Sequence, residues 1–123
     1  MRKPISPRVH GVLDYATSAT TAAAAEVLDF PPPARAAARA LAGGYTGLAA
    51  VTDYPLAARR VVPFKAHGAT EAALGLALPF VPWLLGFADH KPARNFFLGL
   101  TAVTFVVAAL TDWEKRDSPA EAR

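Results

Sequence analysis

The sequence predicts an all-α fold, an integral membrane four-helix bundle made of two like helical hairpins. Three observations predict it. Two long uncharged apolar runs fill the second half, prolines cut the chain into four helix-length segments, and polar motifs recur between the halves.

The apolar runs set the environment. Ala72 to Ala88 reads AALGLALPFVPWLLGFA and Phe96 to Thr111 reads FFLGLTAVTFVVAALT, seventeen and sixteen residues without a charge. Each is slightly shorter than the ~20 apolar residues that span a hydrocarbon core, and flanking residues extend both. Trp83 and Trp113 stand near their ends as interfacial anchors, with Lys91, Arg94, Lys115 and Arg116 outside them. The first half is less apolar. Ala40 to Thr52 reads ALAGGYTGLAAVT, and Val9 to Leu28 is rich in Ala and Thr, with Asp14 and Glu26 inside it.

The prolines set the boundaries, because each removes a helix donor and restricts the residue before it. Pro4 and Pro7 precede the first segment, Pro31-Pro32-Pro33 follows it, Pro55 to Pro63 divides the chain, and His90-Lys91-Pro92 separates the last two segments. The spacing predicts helices near 7–28, 34–53, 64–88 and 93–113 within a single domain over 1–123, ending in a polar tail at 116–123. Pro79 and Pro82 predict a kink in the third helix, and Gly43 and Gly47 a small-residue spacing for close helix approach. No stretch alternates as a strand does.

Composition narrows the chemistry. With no Cys, thiol catalysis, iron–sulfur clusters and disulfides are excluded. The net charge of +3 comes from basic residues at segment ends, not from a stripe with interleaved aromatics, so no nucleic-acid partner is expected. The expected partner is the lipid bilayer, with association into a homo-oligomer as a further expectation.

The repeat carries the functional reading. Arg8-Val9-His10-Gly11-Val12-Leu13-Asp14 matches Lys65-Ala66-His67-Gly68-Ala69-Thr70-Glu71 as basic-x-His-Gly-x-x-acidic, at an offset of 57. Val51-Thr52-Asp53-Tyr54 matches Leu110-Thr111-Asp112-Trp113 at an offset of 59. The repeats run over approximately 5–56 and 62–115. Each contains two crossings, so both hairpins enter from one side, related by an axis along the membrane normal.

Within each repeat the His and its acidic partner are four residues apart and share one helix face. The Thr-Asp pair lies where the second helix returns to the same end. The expected cluster is therefore His10, Asp14, Asp53, His67, Glu71 and Asp112, with Arg8, Lys65, Thr52 and Thr111 around it. Two imidazoles and four carboxylates are the ligand inventory of two-metal sites in helical bundles. Two divalent ions contribute +4 against −4 from the four carboxylates, which leaves the site neutral. The likeness is one of inventory alone, because the acid follows the His here. Mixed N/O ligation suits iron, manganese or zinc, with redox or hydrolytic chemistry at open positions.

Three alternatives stand beside this reading. Arg8, Lys65 and two protonated histidines balance the same four carboxylates in a metal-free ion-pair network of a structural membrane subunit. Ionisable groups within a membrane also fit a proton- or ion-coupled transport module. His10 and His67 alone would serve as axial ligands to a haem. Elsewhere, His90 reads as a solvated loop residue, Glu26 as a surface group, and Tyr15 as an anchor or a donor to a ligand carboxylate. Nine basic residues (Arg2, Lys3, Arg8, Arg59, Arg60, Lys65, Lys115, Arg116 and Arg123) lie on the side of the termini, against four on the other. This places both termini and the polar cluster on the cytoplasmic side of the cell membrane.

Overall fold

A computed structural model describes residues 2–115. The expected tail at 116–123, with Arg116 and Arg123, lies outside the described residues. The fold is all-helical, with four long helical segments and no strand among the described residues. Helix α1 spans Pro7–Val27, α2 Pro32–Val51, α3 Phe64–Ala77, α4 Val81–Leu84 and α5 Lys91–Leu110. A 3₁₀ turn at Leu78–Phe80 joins α3 to α4, so these form one helical segment. That turn falls at Pro79, where the missing amide and the ring interrupt the α-helical ladder.

The helix starts follow local chemistry. Pro7 occupies the first turn of α1, where its missing donor costs nothing, and the Ser6 hydroxyl accepts from the Val9 amide at 3.3 Å. His90 is not a free loop residue. Its Nδ1 accepts from the Ala93 amide at 3.2 Å and caps α5.

Helices α2 and α5 end differently from the expectation. Thr52 (φ −81°, ψ 143°) and Thr111 (φ −81°, ψ 135°) leave the helix in extended backbone. Each forms a short parallel bridge, Thr52 with Val62 and Thr111 with Ile5. In the first, Val62 donates to the Val51 carbonyl and Asp53 to the Val62 carbonyl, both at 2.7 Å. In the second, Ile5 donates to Leu110 at 3.1 Å and Asp112 to Ile5 at 2.8 Å. The two bridges correspond position for position, and each joins the first part of one half to the end of the other.

Small and polar residues fill the interior toward the end with the termini, and many large apolar side chains lie outside. Helix α1 buries Pro7, His10, Gly11, Asp14, Ser18, Thr21 and Ala25. Helix α2 buries Ala34, Ala38, Ala42, Tyr45 and Ala49. The alanines, not Gly43 and Gly47, provide the close approach, since a Cβ added at either glycine would meet nothing within 4 Å. At the end away from the termini, Phe30, Leu78, Phe87 and Phe97 pack with Ala25 and Ala38 into the apolar core. Leu76, Phe80, Trp83, Leu84, Val103 and Val106 are exposed. Among the described helices, α5 alone is long and apolar enough to cross a membrane, with mean hydropathy 1.7.

Candidate metal centre

Four of the six expected ligands converge. His10 and Asp14 come from the second and third turns of α1, and His67 and Glu71 from the matching turns of α3. The i, i+4 spacing holds each pair on one face, and both faces point inward. The imidazoles are fully buried and the two acids are 5% exposed. Each carboxylate spans both rings. His10 Nε2 lies 3.4 Å from Asp14 Oδ1 and 3.2 Å from Glu71 Oε2. His67 Nε2 lies 3.1 Å from Asp14 Oδ2 and 3.2 Å from Glu71 Oε1. One ligand atom from each residue fits within 4.8 Å of all the others.

The threonines fix the rings. Thr111 Oγ1 donates to the Val107 carbonyl one helical turn back, and Thr52 donates to the Leu48 carbonyl in the same way. With their only protons committed, these hydroxyls accept from the imidazoles, Thr111 from His10 Nδ1 at 2.9 Å and Thr52 from His67 Nδ1 at 2.7 Å. Nδ1 therefore carries the proton in both histidines, and Nε2 is the nitrogen that faces the carboxylates. Neither Nε2, although buried, completes a hydrogen bond. Each lies nearly equidistant from an oxygen of Asp14 and one of Glu71.

Asp53 and Asp112 do not join the cluster, which corrects the expected set of six. In the extended segments that follow α2 and α5, successive side chains face opposite sides. The threonine faces in, and the aspartate faces out. Asp53 is about half exposed and lies 3.7 Å from Arg60. Asp112 Oδ1 accepts from the amides of Glu114 and Lys115, both at 3.2 Å. The expected basic neighbours are also displaced. Lys65 pairs with Glu114 at 2.9 Å on the surface, and Arg8 is exposed.

Haem ligation fails on space. The two rings lie 5.2 Å apart, centroid to centroid, and Asp14 and Glu71 fill the region that a porphyrin would need.

Aromatic side chains wall the cluster on the side of the termini. Trp113 stands 5.0 Å and Phe64 5.4 Å from the His10 ring, and Tyr54 stands 5.7 Å from His67. Trp113 is thus part of the wall of the site instead of a plain interfacial anchor. Tyr54 is the residue of the candidate site that the motifs did not single out. Its hydroxyl donates to Asp14 Oδ2 at 3.0 Å. Burial, followed by the adjacent Asp14 carboxylate, pushes that hydroxyl well above its ordinary value, so it remains a donor. Its signal in the sequence was the aromatic position that closes the recurring Thr-Asp motif. Tyr15 makes no such bond and donates to the Leu56 carbonyl at 3.0 Å. Glu26 is at the surface, 2.6 Å from Arg39 and 4.0 Å from Arg35.

No family model, curated protein or solved structure matches this chain.

Proposed function

We propose that this chain is a membrane-embedded bundle of two like hairpins that binds one divalent metal ion through His10, Asp14, His67 and Glu71. The observation that carries the reading is the pair of buried Nε2 atoms. Each lies 3.1–3.4 Å from two carboxylate oxygens without completing a well-formed hydrogen bond, in a ring whose Nδ1 is held by a threonine hydroxyl. Uncharged imidazoles would bring their Nε2 lone pairs against carboxylate oxygens, a repulsive arrangement that a central cation turns into ligation.

Distance and charge support a single ion. Metal–ligand bonds of about 2.0–2.1 Å in a four-coordinate shell give ligand–ligand edges of about 3.3 Å. The four N–O separations of 3.1–3.4 Å are of that size, although each runs to a different carboxylate oxygen, and one donor atom from each residue lies within 4.8 Å of the others. One divalent ion, two carboxylates and two neutral imidazoles sum to zero, which matters because an uncompensated buried charge costs several kcal/mol. The two-ion reading depended on Asp53 and Asp112, which lie elsewhere. Iron, manganese and zinc all accept this N/O donor set. The threonines orient the imidazoles as outer-shell partners do at metal sites.

The many large apolar side chains on the outer surface support the bilayer. The four helical segments are 20 or 21 residues long, about 30 Å at 1.5 Å per residue, which matches a hydrocarbon core. Only 17% of the apolar window of α5 is buried, unlike the core helix of a soluble protein. On the charge bias of the connections, the end with the cluster is cytoplasmic.

Metal analysis of detergent-purified protein tests the reading. The wild type should carry one equivalent after metal-replete growth, and a His10→Ala/His67→Ala double variant none. A metal-free wild type would overturn it. A second reading rests on the same four ion-pair distances: two protonated imidazoles also neutralise Asp14 and Glu71. It predicts a folded, metal-free wild type that the double variant destabilises.

A further inference from the structure

Deeper in the bundle, a second feature adjoins the cluster. A cavity of about 20 Å³ is bounded by Asp14 and Glu71 on one side and by Tyr45 and Thr104 on the other. Leu13 and the exposed Val103 flank it, between α1 and α5. A volume of ~10–15 Å³ on this measure admits one water, provided that two to four polar groups surround it. Those groups are present. The Tyr45 side chain is 5% exposed, and its hydroxyl interacts with Thr104 across the cavity without completing a well-formed hydrogen bond. Thr104 Oγ1 gives its proton to the Leu100 carbonyl at 2.8 Å and keeps lone pairs for an incoming donor. A buried tyrosine hydroxyl so weakly satisfied costs free energy, and an occupant of the adjacent polar, water-sized space would offset that cost.

We propose that this cavity holds one exchangeable small molecule, water at rest, which completes the coordination of the metal ion proposed above. The two imidazoles and one oxygen from each carboxylate supply four ligands, and the cavity supplies a fifth position. Tyr45 donates to the bound molecule, and a carboxylate oxygen or Thr104 accepts from it. The centre is therefore open and not a sealed structural site. Its substrate class is a ligand of one or two heavy atoms. The flanking valine and leucine favour an uncharged one that reaches the site between α1 and α5 from the apolar side. Binding is ligand exchange: the water leaves, a bond forms between metal and incoming ligand, and no oxidant or reductant is needed.

This inference rests on the metal reading, and one experiment separates the two. The detergent-purified full chain is loaded with ferrous iron, its iron content is measured, and nitric oxide is added anaerobically while the electron paramagnetic resonance spectrum is recorded. Wild type with one iron should give the half-integer-spin iron–nitrosyl signal at one adduct per iron. Thr104→Leu, which fills the cavity, should keep its iron and lose the adduct. Tyr45→Phe should keep the adduct but release nitric oxide roughly fivefold faster, as expected for one lost hydrogen bond. Iron-loaded wild type that forms no adduct would overturn the open site while leaving the metal reading intact. An iron-loaded Thr104→Leu variant with an undiminished signal would likewise overturn the cavity as the binding place. A wild type that takes up no iron would remove both readings.

Discussion

Thr111 holds the His10 ring across 101 residues of sequence, accepting from Nδ1 at 2.9 Å while its own proton goes to Val107. Thr52 does the same for His67. Each half of the chain thus positions the imidazole of the other, and the two bonds are equivalent in donor, acceptor and helix position.

Removing these acceptors should weaken metal binding without unfolding the bundle. Thr52→Val and Thr111→Val keep the shape of the side chain but leave Nδ1–H unpaired, so the rings lose their fixed tautomer. Outer-shell losses of this kind lower metal affinity by about 10- to 100-fold. Competition with a graded series of chelators should show that loss for each variant.

The carboxylates should divide into two classes. Asp14→Asn and Glu71→Gln each remove a charge from the buried set and should leave the purified protein with well under one metal equivalent. Asp53→Asn and Asp112→Asn alter groups that point away from the cluster and should retain full stoichiometry. Elemental analysis of the four variants, prepared in parallel, distinguishes them.

Tyr54 should reveal itself at alkaline pH. Because burial and Asp14 hold its hydroxyl above the ordinary range, the folded state keeps a proton that the unfolded chain releases above pH ~10. The contribution to stability is complete below that pH and declines as pH rises further. Ultraviolet titration of the folded protein should therefore leave Tyr54 un-ionised through the pH range in which exposed tyrosines titrate. Tyr54→Phe should flatten the alkaline fall in melting temperature. At neutral pH it should cost about 1.5–3 kcal/mol, the usual value of a hydrogen bond to a charged group.

The motif glycines should differ in tolerance. A Cβ at Gly68 would stand 2.8 Å from a ring carbon of Trp113, whereas at Gly11 the nearest atom, on Tyr54, is 3.2 Å away. Trp113 is also packed on Phe64 at 4.7 Å and bonded through Nε1 to the Ala108 carbonyl, so it has little room to move. Gly68→Ala should cost about 1–3 kcal/mol, as overpacking does, and Gly11→Ala less. Thermal unfolding in one detergent gives the comparison.

The helical segmentation and the core of the centre were legible in the sequence for distinct physical reasons. Prolines mark helix ends through a local effect, and i, i+4 spacing fixes a shared face, so His10 with Asp14 and His67 with Glu71 followed directly. Thr52 and Thr111 were legible as neighbours of the ligands. The outward turn of Asp53 and Asp112 was not. It depends on the helices stopping two and three residues before their expected ends, at Val51 and Leu110, each followed by a threonine drawn into extended backbone by Val62 or Ile5, and those bridges are long-range or cross-connection contacts. Tyr54 and Tyr45 were hidden for a similar reason. A tyrosine near a helix end or among glycines fits several roles until its hydroxyl's surroundings are known.

The reciprocal tether also bears on how such a chain is assembled. In a bilayer, the four ligands share an end only when both hairpins insert from the same face. A hairpin threaded the opposite way would strand its histidine about 30 Å from the other, on the far side of the hydrocarbon layer. On the proposed metal and membrane readings, capture of the ion acts as a checkpoint, ratifying correct insertion of the whole molecule and trapping it in that topology.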